Sequence, residues 1–247
     1  DAEAFDTAVA AAVDTAVKAQ VEAGVSVVSD GELGKVGYST YITERLSGFG
    51  GDVPRKPALD LAPLPEFRKK LAAVMGDQEF VRAACIGEVK LVNLEPCHED
   101  IRRFQKAMSG KPVSGFMNAA SPGLITAFQP NQFYPSHEAY LADLVIAMRP
   151  EYEAIAATGF YLQLDCPDLA MSRHTGYQDA SEEDFLKIAE AKPVFACITE
   201  WARTIFPLKE CCGNPKMHHN PTPLPARSVN SFLVINAHAT PRSFSMR

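Results

Sequence analysis

The stretch "QVEAGVSVVSDGE", residues 20–32, carries a whole structural unit in miniature. A helix ends, the chain turns on Gly24, a β-branched run "VSVVS" follows, and the run stops at Asp30-Gly31-Glu32. Glycine just past a helix takes the left-handed terminating conformation at little steric cost. A short apolar run without clean alternation is the pattern of a strand buried on both faces, as in a parallel sheet. The unit therefore reads helix, tight turn, buried strand, acidic loop.

Working outward, the same unit recurs. Residues 2–23 read as a helix, with Phe5, Val9, Val13, Val17 and Val21 spaced every fourth position. Residues 65–75 and 99–108 read as helices, and 80–87 and 112–121 as strands. Ser136 caps a long helix ending near Thr158, which Pro150 should kink or interrupt. Gly159 closes that helix and the strand "FYLQLD", residues 160–165, follows. Ser181 opens a further helix, with Asp184 in the capping-box position. The segment 48–65 is rich in Gly and Pro and reads as an excursion.

Helices alternating with short apolar strands predict an α/β protein with a parallel sheet and helical crossovers. The length of 247 residues suits a TIM (β/α)8 barrel. An open doubly wound sheet has the same periodicity, but no GxGxxG or P-loop supports nucleotide binding. No strand precedes the first helix, and the period is lost after about residue 191. The expectation is one (β/α)8-type barrel domain over 1–247, incomplete, with 191–247 irregular.

Composition excludes several classes. The chain is 47% hydrophobic and 22% charged, with a net charge of −6 and no basic stripe, so nucleic acid is not an expected partner. No apolar run reaches the roughly 18 residues of a membrane helix, and the acidic first residues argue against a signal peptide. Six irregularly spaced cysteines do not form a secreted disulfide pattern, so a reducing cytoplasm is expected.

The strands end in polar loops, which a parallel barrel gathers on one rim. Asp30, Glu32, Asp165 and Asp168 are candidates to orient a substrate ammonium group or act as a base, against the plainer reading of turn caps and ion pairs. Asn118 and Ser121 in "NAASPG" are weaker candidates that equally satisfy their own turn. Tyr38 and Tyr41 are candidate pocket walls, and Arg173 and His174 could take an anion. In "ECCGNPKMHHN", residues 210–220, Cys211, Cys212, His218 and His219 are zinc-type ligands without a CxxC or HExxH spacing.

These segments resemble one family. "AGVSVVSDGELGKVGYSTYITERLSGF", "AASPG", "GFYLQLDCPDLAM" and "ECCGN" resemble segments of the cobalamin-independent methionine synthases, especially their short, methionine synthase II-like members. The resemblance implies a (β/α)8 barrel acting in methionine biosynthesis or as a related thiol alkyltransferase. It implies a small-molecule thiol, a methyl or alkyl donor and a zinc ion that keeps the thiol as thiolate. Carried over by position, Glu32 would hold the substrate near the metal and Asp165 would bind its polar head; Asp30, Tyr38, Asn118, Ser121 and Asp168 are the candidate substrate-binding residues read from the chain itself. Cys211 would ligate zinc; the family's zinc histidine falls on Lys209, leaving His218 or His219 as the replacement. Two other readings compete: a metal-free enzyme of the uroporphyrinogen decarboxylase type, with Arg45, Arg82 and Arg173 as its carboxylate-binding arginines, and a non-catalytic relative.

Overall fold

A valine at every fourth position gives α1 (Ala2–Glu22) one apolar stripe, and Val9, Val13 and Val17 are buried along it. Phe5, expected on the same stripe, is 64% exposed because the contact surface ends before it. The computed structural model describes residues 2–37, 40–54, 61, 63–75, 81–168, 177–191 and 232–235. The stripe packs against α4 (Glu95–Met108), whose buried face includes Cys97, Ile101, Phe104 and Ala107. Each fully buried side chain of valine or leucine size contributes roughly 1.5–3 kcal/mol. Gly24 stops α1 with φ 81, and β1 (Val27–Ser29) follows. Gln20 bonds both backbone groups of Ser29, at 2.9 and 3.0 Å, so α1 satisfies the outer edge of β1.

The main sheet has the order β1, β4 (Ser114–Ala120), β5 (Tyr161–Asp165), β6 (Phe232–Ile235). β1, β4 and β5 are parallel, with Ser29 level with Phe116 and Ala120 level with Asp165. Their carboxyl ends therefore share one rim. α4 precedes β4, and α5 (Pro122–Phe128) and α6 (His137–Ala157) form the crossover to β5. Leu144, Met148 and Ile155 of α6 are buried with Met117, Leu162 and Leu164 of the sheet, and Phe104 of α4 lies 4.8 Å from Phe160. Ser136 caps α6 by accepting from Ala139 N, and the helix runs through Pro150 rather than breaking there. Ser181 caps α7 (Glu182–Ala191), accepting from Asp184 N as the capping box requires.

The expectation of one parallel sheet is corrected in two places. β6 pairs antiparallel with β5, and β2 (Phe49–Pro54) pairs antiparallel with β3 (Val81–Cys85) in a separate two-stranded sheet. Among the described residues the strands form this open sheet and this pair; a closed barrel is not seen among them. β2 lies inside the segment read as an excursion. Its glycines are what allow it: a Cβ on Gly48, at φ 90, would lie 2.6 Å from the Gly87 carbonyl oxygen, so the two chains approach more closely than any side chain permits. Two short helices, α2 (Ile42–Arg45) and α5, were not expected, and α4 begins four residues before the expected start, with proline in its first turn. α3 (Pro65–Met75) lies where the sequence places it.

A carboxylate rim with a buried ionic hub

The loop after β1 is built by its own first residue. Asp30 is 4% exposed and its Oδ1 accepts the Glu32 backbone N–H at 3.1 Å, an Asx turn that folds the chain back. Gly31 and Glu32 both take left-handed conformations, at φ 68 and 56. Such a conformation is uncommon for a residue with a side chain and stores local strain. The Glu32 carboxylate Oε1 lies 3.0 Å from Lys35 Nζ. The same ammonium donates to the carbonyl of Asn118, within β4, at 2.6 Å and sits 4.6 Å from the centre of the Tyr41 ring.

From β5, Asp165 joins this group. It is 7% exposed, its carboxylate accepts from Gln163 Nε2 at 3.4 Å, and Asn118 also bonds it. Burial pushes its carboxyl above the usual range and the nearby Glu32 charge pushes it further, against Gln163, Lys35 and Asn118. Burial likewise raises Asp30, opposed chiefly by Lys35. Glu32 follows β1 and Asp165 ends β5, on the rim that the parallel strands share, and the Glu32 charge is among the influences that raise Asp165.

Asp168 and Ser121 are placed differently. The Ser121 hydroxyl oxygen caps α5 through Leu124 N at 3.0 Å, and the hydroxyl donates to Asp168 Oδ1 at 3.5 Å. Ser121 therefore serves its own turn, and Asp168 is 2% exposed behind it. Cys166 beside them is buried, and burial pushes its thiol up to about 11. Tyr41 is not a pocket wall but the centre of a hub beneath the rim. Its hydroxyl donates to Glu151 Oε1 at 2.8 Å and accepts from Ala120 N at 2.9 Å, while Tyr152 donates to the Ala120 carbonyl at 2.6 Å. Arg45 pairs with both Glu151 and Asp100 at 2.9 Å and stacks on the Tyr41 ring at 4.5 Å. Arg103 continues the chain of charges to Asp100 at 3.0 Å, and also to Glu99 and Asp6. Gly34 is required here, because a Cβ on it would meet Asp100 Oδ1.

Sequence reasoning missed Lys35, Asp100 and Glu151, and named Arg45 only under the competing decarboxylase-type reading. The one available signal was charge at otherwise apolar helix positions, as at Asp100 between Cys97 and Ile101. Tyr38, Arg173, His174, Lys209, Cys211, Cys212, His218 and His219 lie outside the described residues. Among the described residues no group of three or more His, Cys, Asp or Glu side chains could hold a metal ion, and no helix is long and apolar enough to cross a membrane.

No protein-family model matches the chain, and no curated protein matches it. Among solved structures, the chain is similar to a B12-independent methionine synthase from Shewanella sp. W3-18-1, solved in complex with selenomethionine. The identity is 17% and the TM-score 0.48, over 66% of this chain and 42% of that one, so the chain spans less than half of that structure's length.

Proposed function

We propose that the rim binds a small amino-acid thiol and that the chain transfers a methyl or alkyl group to its sulfur within a (β/α)8-type framework. The observation that carries this reading is the placement of Glu32 just past β1 and Asp165 at the end of β5, at the carboxyl ends of parallel strands of one sheet. Carboxylates so placed accept hydrogen bonds from an ammonium group, and the low surrounding exposure strengthens them. The segments bearing both acids are those that resemble the cobalamin-independent methionine synthases, which supports the choice of reaction.

Zinc is part of the proposal, with Cys211 and either His218 or His219 as ligands. Bound there it would supply a thiolate at neutral pH, where a free thiol of pKa about 8.5 is mostly protonated. The described residues bind and orient the other end of the substrate. The uroporphyrinogen decarboxylase-type reading loses support because Arg45 is committed to Asp100 and Glu151, and Arg82 donates to the Ala127 carbonyl at 2.6 Å.

The test is elemental analysis of the purified chain, with thiol consumption followed for L-homocysteine against a folate, an epoxide and a small methylated donor. Stoichiometric zinc that falls in Cys211→Ala, and donor-dependent thiol loss abolished by Glu32→Gln, are expected. Absence of both zinc and thiol alkylation overturns the proposal.

A further inference from the structure

We infer that Lys35 is a positioning residue of the rim: it holds the Glu32 carboxylate by one oxygen so that the other is presented to an ammonium-bearing ligand. The ligand class rests on the proposed function; the holding role rests on geometry. Lys35 is a lysine whose side chain is only 4% exposed, while that of Glu32 is 27% exposed. Its three surroundings come from three places in the chain: Glu32 Oε1 at 3.0 Å, the Asn118 carbonyl at 2.6 Å and the Tyr41 ring at 4.6 Å. Together they satisfy the ammonium and aim it. All of the contact to Glu32 is through Oε1, and no described residue bonds Oε2.

Glu32 lies on a turn with left-handed backbone, at φ 56. A glutamate side chain on an exposed turn samples many rotamers, and immobilising it beforehand removes that cost from binding. Lys35 is also the cation that the rim acids face. Asp30 and Asp165 both lie within its field, as do Asp100 and Glu32. Lys35 opposes the burial that raises the Asp30, Asp165 and Asp100 carboxyls.

A purely repulsive role makes the opposite prediction. If Lys35 merely opposed a second ammonium, its removal would tighten binding. Holding Glu32 in place requires that removal weaken it.

The experiment is a binding cycle with L-homocysteine on the full chain: wild type, Lys35→Met, Lys35→Arg, Glu32→Gln and the Lys35→Met/Glu32→Gln double variant, each checked for folding by circular dichroism. Lys35→Met should weaken binding by about ten- to hundredfold, the loss expected for one charged hydrogen bond. Lys35→Arg should recover most of it. The double variant should bind no worse than Glu32→Gln alone, because both changes remove one interaction. Additive losses, or unchanged or tighter binding in Lys35→Met, overturn the inference. Lys35→Gln, which removes charge but keeps a donor, replaces Lys35→Met should that protein not fold. If the wild type does not bind L-homocysteine, the proposed function fails, and the holding role is decided by the carboxyl carbon resonance of Glu32 at neutral pH. It should move in Lys35→Met and return in Lys35→Arg; a resonance that does not move overturns the inference.

Discussion

Replacing Arg45 with methionine keeps most of the side-chain volume and removes the one cation shared by Asp100 and Glu151. Their side chains are 7% and 3% exposed; without Arg45, among the described residues, Glu151 keeps only the Tyr41 hydroxyl and Asp100 keeps only Arg103, at 3.0 Å. Breaking a buried pair in this way costs about 3–5 kcal/mol, because the remaining charge stays desolvated. At roughly 2–4 °C per kcal/mol for a chain of this size, melting should fall by about 6–20 °C. The loss should also depend on pH. Burial holds the Asp100 carboxyl above its unfolded value, and Arg45 is the leading opposing influence. Removing Arg45 raises the folded pKa further. A carboxyl whose folded pKa exceeds its unfolded one destabilises the fold above that folded pKa, and the penalty disappears as pH falls to the unfolded value near 4. Thermal unfolding of Arg45→Met and wild type at pH 5 and pH 8 measures this, with Lys69→Met as control. Lys69 and Glu66 are 74% and 80% exposed, so that pair should move melting by no more than about 2 °C. A deficit that is the same at both pH values, or no larger than the control's, refutes the hub as a desolvated ion network.

Three further outcomes are expected. Tyr41→Phe leaves the Ala120 N–H and Glu151 each without its hydroxyl partner, and should cost about 1–3 kcal/mol in urea unfolding. Ser121→Ala removes the α5 cap and should cost about 1 kcal/mol by the same measurement. Cys97 and Cys166 are buried, and burial pushes their thiols up to about 12 and about 11, so iodoacetamide at pH 8 should label them only after unfolding, as read by mass spectrometry.

The elements that could be read from the sequence are those set by neighbours in the chain. The Ser136 cap, the Gly24 and Gly159 stops and the Ser181–Asp184 pair act within one turn, and each lies where expected. The polar strand ends on one rim were legible for the same reason, because parallel strands linked by helical crossovers point the same way. β2 was not, because nothing local makes "FGGDVP" a strand; pairing with β3 does. The hub was equally hidden, since Arg45 meets Asp100 across 55 residues and Tyr41 meets Glu151 across 110. Ser121 shows the converse: a residue that could bind a ligand instead caps the helix that begins beside it.

The central claim is that Glu32 and Asp165 act together on one ligand. A crystal structure of the full chain grown with L-homocysteine tests it most directly. The ligand should lie above the carboxyl ends of β1 and β5, with polar groups within hydrogen-bond distance of both Glu32 and Asp165. A ligand that leaves either carboxylate untouched rules out their joint action.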